Sequence, residues 1–349
     1  MENIKEQNLP LYDPNPEQVV EQYRNMDTKD LTGHARRVCE RYHGKSVYLR
    51  GLLEISNFCG QNCLYCGIRS GNTKVERYRL TDNEIMEAVD AGYKRGIKTF
   101  VLQAGEDPEF RGSRMERLIE TIKQHTDGRA AVTLSLGILP KERYAAFKKA
   151  GADRYLLRFE TSDPQIHSYL RNGVTLKERI KALETLKELD YETGTGYMVG
   201  LPGETEEIRV QNALLTRRLE ADMVGLGPFI PHPDTPLAQS EQKPFELTLR
   251  ATALVRLLLP GAHIPATTAT GSLVEDGREQ VIQAGANVLM PNLTPVARKK
   301  DYLLYPGKIC LDEGGISCVG CLQGRVMSVD RVLSFDKGTS LRFVQPLVQ

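Results

Sequence analysis

Cys59, Cys63 and Cys66, in the stretch SNFCGQNCLYCGIRSG, carry the most specific chemistry in the sequence. Their spacing, C-x₃-C-x₂-C, puts three thiolates on one short loop. Three thiolates can hold three irons of a four-iron cube and leave the fourth without a protein ligand. An open coordination position is what separates a catalytic metal centre from a structural one. Zinc is the competing reading, but its usual spacings are paired and no second pair lies nearby. A second trio, Cys310, Cys318 and Cys321 in CLDEGGISCVGC, is spaced C-x₇-C-x₂-C. Thiolates on such a loop bind iron; zinc or an unfilled thiol cluster are the alternatives. Cys39, inside HARRVCERYHG, reads as a buried helix cysteine. His232, between two prolines, reads as a rigid-loop residue rather than a catalytic base.

Such a loop needs a large, rigid frame, and composition allows one. The chain has 349 residues, 40% hydrophobic and 26% charged, the profile of an ordinary globular protein. One barrel can occupy most of that length. Net charge is +1, from 46 Lys+Arg against 45 Asp+Glu, and the run VARKK (296–300) is short. Binding a nucleic-acid backbone takes many phosphate-neutralising cations, so no nucleic-acid partner is expected. No run approaches the roughly 20 apolar residues that span a bilayer, and no membrane association is expected. The first residues lack a basic segment followed by an apolar one. A cytoplasmic location follows, where thiols stay reduced.

Residues 1–16 are polar with three prolines and read as an extended arm, followed by a helix from Glu17 to about Tyr42. Eight strand candidates then recur, at 46–56, 98–105, 130–137, 153–160, 194–200, 222–228, 263–269 and 286–290. Seven have a helical pattern behind them, at 80–96, 113–124, 140–151, 176–189, 204–219, 246–258 and 275–284. Thr81 and Glu84 have capping-box spacing. Short buried strands alternating with helices predict an α/β fold with a parallel sheet, a (β/α)₈ TIM barrel, with an open doubly wound sheet as the alternative. The expected organisation is an N-terminal arm with helices (1–45), the barrel (46–300) and a C-terminal extension with the second cysteine trio (301–349). The Cys59 loop follows the first strand, on the face where barrels place catalysis.

C-x₃-C-x₂-C with an aromatic, Tyr65, before the last cysteine resembles the signature of the radical S-adenosylmethionine (SAM) superfamily. The resemblance implies a [4Fe–4S] cluster whose open iron is chelated by SAM, and reductive cleavage of SAM to a 5′-deoxyadenosyl radical. It also implies roles for residues at later strand ends. Gly105 and Glu106 in QAGEDP resemble the motif that holds the SAM ammonium. Ser135 in TLSLG and Glu160 in RFET stand at the ends of the third and fourth strands, and YMVGLPGET resembles the segment that passes the adenine. A zwitterion in a partly dry cleft needs each charge matched. Glu106 or Glu160 can serve the ammonium or the ribose hydroxyls, and Arg179 can clamp the carboxylate.

A narrower resemblance, from about residue 20 to 325, is to HydE, the radical SAM family that matures the active-site cluster of [FeFe]-hydrogenase. LQAGEDP, AGADRYLLRFET, GLGPFIPHPDTPL, IPATTATG, GANVLMPN and YLLYPGKIC carry it. It implies an iron–carbonyl–cyanide–cysteine precursor as substrate, supplied by a partner maturase, and attack of the adenosyl radical on a substrate sulfur. A reductant such as ferredoxin or flavodoxin and the other hydrogenase maturases are the implied partners. Family positions for substrate or anions fall on Arg50, Gln103, Thr133, Arg158, Thr267, Thr268, Met290, Tyr302 and Tyr305. Polar groups at several strand ends agree in kind, because lumen positions are otherwise apolar filler; Thr267 and Thr268 also fit two β-formers in a strand. The second cysteine trio resembles the auxiliary iron–sulfur site found in some members of the family. Phe159 departs from the family, which more often has His there, and a sister group with another substrate is one meaning of that. The alternatives are an enzyme on an organic, amino-acid-like substrate, of methylornithine synthase or biotin synthase type, and a non-enzymatic iron–sulfur scaffold or carrier.

Overall fold

The computed structural model of the chain describes residues 14–312, 314 and 318–344, without the side chains of Cys318 and Val344. It opens on α1 (Pro16–Asn25) and α2 (Thr28–His43), where the pattern predicts one helix. The break comes at Met26–Asp27. Both residues are extended, and the Asp27 carboxylate accepts the Asp30 amide as an N-cap.

The strands are β1 (Ser46–Leu49), β2 (Gly51–Ser56), β3 (Thr99–Ala104), β4 (Ala131–Ser135), β5 (Arg154–Leu156), β6 (Glu192–Thr195), β7 (Met198–Val199), β8 (Met223–Val224), β9 (Gly227–Pro228), β10 (Val288–Leu289) and β11 (Val332–Ser334). Every strand pair is parallel. Six strands run in the order β2-β3-β4-β5-β6-β8, and β10 pairs β1. Bridges Met223–His263, Pro265–Val288 and Leu52–Asn292 carry the sheet back to its first strand. This is the TIM-barrel-like architecture the alternation predicts, with the seventh strand reduced to bridges.

Between the strands lie α3 (Asp82–Lys94), α4 (Ser113–His125), α5 (Lys141–Ala150), α6 (Pro164–Arg171), α7 (Leu176–Glu188), α8 (Glu206–Arg218), α9 (Glu246–Leu258), α10 (Thr268–Leu273) and α11 (Gly277–Gln283). The capping box Thr81–Glu84 is formed in both directions, and Thr175–Glu178 makes a second at α7. Two elements depart from the sequence pattern. The segment 263–269 is not a strand throughout: Thr267 is the N-cap position of α10 and Thr268 its first residue. A further helix, α6, lies ahead of α7, started by the Asp163 carboxylate over Pro164.

After the barrel come α12 (Val296–Lys299), α13 (Cys318–Ser328), β11 and α14 (Leu341–Val344). β11 pairs with β1, setting Ser46 against Val332. The chain then crosses the barrel floor, where Thr99 and Arg154 donate to the carbonyl of Lys337 and Ser340 bonds Glu192 and Asp222. The floor is thus sealed, and the lumen opens at the carboxyl ends of the strands.

Candidate active site

A cavity of about 330 Å³ lies at that open end. Cys59, Cys63 and Cys66 all line it, Cys63 buried and the others half-buried. Local sequence fixes the loop against the neighbouring strand. Gly105 donates to Ser56, Gly60 donates to the Glu106 carbonyl, and the Glu106 amide points at Cys59 Sγ at 3.3 Å. Only glycine fits at 105, since a Cβ there would stand 2.2 Å from the Phe58 carbonyl oxygen and 2.7 Å from Cys59 Cβ. Asp107 braces the same corner: it accepts both Ser56 Oγ and a bidentate Arg79 that lies 3.8 Å over the Phe58 ring.

The donor set fits an iron–sulfur cube better than one ion. Among the described residues no three His, Cys, Asp or Glu side chains converge on a point that would hold one metal ion. A cube takes one thiolate at each of three corners, so its ligands stand apart while facing one cavity. Burial pushes the Cys63 and Cys66 thiols up, with the other cysteines adding to it. Loading a metal must therefore expel protons.

Beside the cysteines two arginines converge on one carboxylate. Arg171 Nη2 lies 3.3 Å and Arg179 Nη1 3.8 Å from Glu106 Oε1, and Gln61 donates to Glu106 Oε2 at 3.2 Å. Arg171 also donates to the Tyr65 hydroxyl. Burial lowers Arg179, with Arg171 adding to it; in Arg171 the burial effect is outweighed by Tyr65, Cys63 and Glu160, which raise it. Two cations and two carboxylates in one wall make a matched cradle for a zwitterion. Glu160 completes it from a left-handed backbone, φ 67°. Its Oε2 stands 3.0 Å from Arg158 Nη2, yet the alignment is too poor for a hydrogen bond on either atom.

The opposite wall holds Gln103, which donates to the Tyr302 hydroxyl at 3.3 Å, together with Thr267, Thr268, Met290 and Tyr305. Lys308 and Glu54 form a buried pair at 2.5 Å there, and Asn292 donates to the other Glu54 oxygen. Ser135 lies on the same lining. Thr133 and Arg50 do not. Thr133 is buried one inward-facing position below Ser135 on β4, its hydroxyl without a partner. Arg50, between β1 and β2, lies at the floor, where it donates to Met223 Sδ and the Gly338 carbonyl. Burial, then Arg154, push it down to about 9. Arg50 thus stands at the far end of the lumen from Arg158, Thr267 and Thr268. Phe159 points away from the cavity, fully buried and stacked on Tyr197 with ring centroids 5.8 Å apart.

Of the second trio, Cys310 is half-buried and Cys321 exposed, while the Cys318 side chain lies outside the described residues. His232 and Cys39 are buried, as a proline-flanked loop residue and a helix residue.

Sequence reading missed Arg171, Gln61, Glu54 and Lys308. Arg171 ends α6, and the Asp163-Pro164 start signal was there to find it. Glu54 and Lys308 meet across 254 residues, and no local pattern encodes that.

Residues 53–214 match the model of the radical SAM superfamily. The [FeFe]-hydrogenase maturase subunit HydE of Thermotoga maritima is 47% identical over 304 residues, 87% of this chain and 86% of that one. The 3-methylornithine synthase of Methanosarcina acetivorans is 28% identical, over 73% of this chain and 72% of its own. A crystal structure of methylornithine synthase shares the fold, with a TM-score of 0.78 at 24% identity over 93% of this chain and 95% of that one.

Proposed function

The chain belongs to the HydE family of [FeFe]-hydrogenase maturases within the radical SAM superfamily, and on that premise we propose that its cavity takes an anionic iron–carbonyl–cyanide–cysteine complex as substrate. It is an enzyme of the maturase type, with a [4Fe–4S] cluster and SAM as cofactors. Together these supply reductive cleavage of SAM to a 5′-deoxyadenosyl radical. The protein's part is to hold the reactants. Cys59, Cys63 and Cys66 would carry the cluster. Glu106 and Glu160 match the SAM ammonium and ribose hydroxyls, and Arg179, with Arg171 beside it, matches the carboxylate.

One observation carries the substrate reading. Polar atoms at the cavity are buried without a hydrogen bond: Arg158 Nε and Thr267 Oγ1, and, in ion pairs of poor alignment, Arg158 Nη2 with Glu160 Oε2 and Arg179 Nη1 with Glu106. A folded protein satisfies nearly all its buried polar groups, and each orphan costs about 1–3 kcal/mol. SAM would take up Glu160 and Arg179, and what is left over, Arg158 Nε on one wall and Thr267 Oγ1 on the other, supports a guest beyond SAM with acceptor groups facing both. Gln103, Thr268, Met290, Tyr302 and Tyr305 complete that subsite.

The surroundings of the reaction are part of the same proposal. Among the described residues no helix is long and apolar enough to cross a membrane. A cytoplasmic setting, a ferredoxin or flavodoxin as electron source and the other hydrogenase maturases as suppliers and acceptors fit the family chemistry. In the three-part division 1–45, 46–300 and 301–349, the middle part would carry the cluster and SAM residues, and the third would add Tyr302 and Tyr305 to the substrate subsite. Cys310, Cys318 and Cys321 would hold an auxiliary iron–sulfur cluster not required for SAM cleavage.

The test is anaerobic reconstitution with iron and sulfide, then SAM, dithionite and one candidate substrate at a time. 5′-Deoxyadenosine should form faster with the iron–carbonyl–cyanide–cysteine complex than without it. Rearrangement of an amino acid, with no response to the iron complex, would end the substrate proposal.

A further inference from the structure

We propose that Arg77 is the positioning residue of the cysteine loop: it ties the loop's entry to its exit and fixes a positive charge beside the bound cluster. The proposal rests on the cluster assignment. Arg77 donates four hydrogen bonds, all to backbone carbonyls. Nη1 reaches Asn57 at 2.5 Å and Ile68 at 2.8 Å, and Nη2 reaches Arg69 at 2.7 Å and Asn72 at 3.2 Å. Asn57 stands two residues before Cys59, and Ile68 two residues after Cys66. One planar fork thus closes the segment that carries all three ligands. Lysine has three donors around a single point and cannot span the same four acceptors.

The clamp is itself held. Asn57 accepts the Tyr78 amide at 2.7 Å and donates to the Glu76 carbonyl at 2.7 Å, so the residues flanking Arg77 are pinned to the loop's first turn. Asn72 donates to the Gly67 carbonyl at 2.7 Å, which fixes the exit.

The charge is the second half. Arg79 pairs with Asp107 and Lys74 with Asp234, whereas Arg69, on the loop's exit, donates to the Asn62 carbonyl. Arg77 makes no carboxylate pair among the described residues. Burial acts against its charge, and Cys59 and Cys66 act in favour. In a partly dry site an unneutralised cation next to the ligands favours the more negative, reduced state of the cluster. Accepting an electron is what the family chemistry asks of it.

The experiment uses the full chain as Arg77→Lys and Arg77→Gln, reconstituted anaerobically beside wild type. Three quantities are read: iron and sulfide per chain, the rate of iron loss to a chelator, and the cluster midpoint potential by EPR-monitored titration. Both variants should lose iron about tenfold faster, since charge-assisted bonds across the loop are gone. Arg77→Gln alone should move the midpoint to more negative potential, while Arg77→Lys keeps it near wild type. A purely structural residue would not separate the two variants on the midpoint. Wild-type midpoints in both, or wild-type retention in both, overturn the proposal. So does collapse of the barrel in the Lys variant, seen by circular dichroism of the metal-free chain, because Arg77 would then serve the fold at large. Absence of a cluster in wild type would instead refute the cluster assignment.

Discussion

Glu106 shows how much at the residue scale depends on what is absent. Its carboxylate occupies space that Gly137 leaves empty: a Cβ at 137 would stand 2.3–2.6 Å from the Glu106 side chain, and Gly137 has φ 80°. Gly137→Ala should therefore displace Glu106 and adopt a backbone that costs an L-residue about 1–2 kcal/mol. The expected result is roughly tenfold to hundredfold weaker SAM binding by calorimetry, with iron content unchanged. Equal affinity would show that Glu106 does not hold SAM. Thr267→Val makes the complementary change on the other wall. It keeps volume and removes the orphaned hydroxyl, so substrate-stimulated 5′-deoxyadenosine formation should fall about tenfold while SAM affinity holds. Equal losses in both would place Thr267 in the SAM site or in the fold. At this scale the sequence was legible where chemistry is written in residue types, as in the three cysteines and Glu106. It was not legible where a role comes from long-range contact. Arg50 and Arg158 are both arginines within strand candidates, yet one bonds the floor and the other lines the mouth.

Elements were read well where local signals agree. The capping box at Thr81 and the glycine at 151, φ 110°, bound α3 and α5 within two residues of the pattern, and α7 agrees as closely although its capping box at Thr175 was not read. The seventh strand was misread because Ile264, Thr267 and Thr268 are β-formers, whereas in the fold Thr267 is the N-cap position of a helix and Thr268 its first residue. That strand also carries His263, which meets α2 through His43, with ring centroids 5.2 Å apart. Burial holds both imidazoles well below their ordinary value; Arg256 adds to it at His43, and Arg50 at His263. Hydrogen bonding agrees for His263. Asn287 accepts from Arg256 and Ile264, so its amide nitrogen must donate to His263 Nδ1, leaving no room for a proton there. Both groups have depressed folded pKa values, so the unfolded chain takes up their protons first. Stability is full above about 6.5 and falls as pH drops below it, by up to about 1.4 kcal/mol per pH unit for each histidine. Urea melts of the metal-free chain at pH 7.5, 6.0 and 5.0 should show that loss, and His263→Gln should remove part of the slope. A flat profile would mean the floor accommodates the charge.

For the whole molecule, the chain after the barrel is what makes the lumen one-ended. Composition and alternation predicted eight units and left the last segment unplaced, because its strand pairing and its floor contacts are to strands far away in the sequence. β11 pairs with β1 some 286 residues away, as Ser46 with Val332, and residues 337–342 then bridge the floor. Arg154 donates to the Lys337 and Gly338 carbonyls while paired with Glu192, and Arg342 reaches Asp222 at 2.8 Å. Gly338 has φ 56°, and a Cβ there would meet the Tyr48 ring at 2.9 Å, so even the crossing point is fitted to the strand above it. Removing everything after Asp330 would leave Arg50 and Arg154 short of acceptors in a buried layer, and stripping partners from buried charges costs about 3–5 kcal/mol. For a chain of this size that corresponds to a fall of roughly 4–7 °C in the thermal midpoint. The cysteine loop and the Glu106 cradle stand at the opposite end of the barrel, so iron uptake at a temperature below the new midpoint should persist. Gly338→Val in the full-length chain should reproduce part of the loss through the strained backbone and the Tyr48 clash alone. A truncated chain melting with wild type would show that the floor closes without the strap. A truncated chain that melts early and also takes up no iron would show that floor and mouth are one cooperative unit rather than two ends of a rigid barrel.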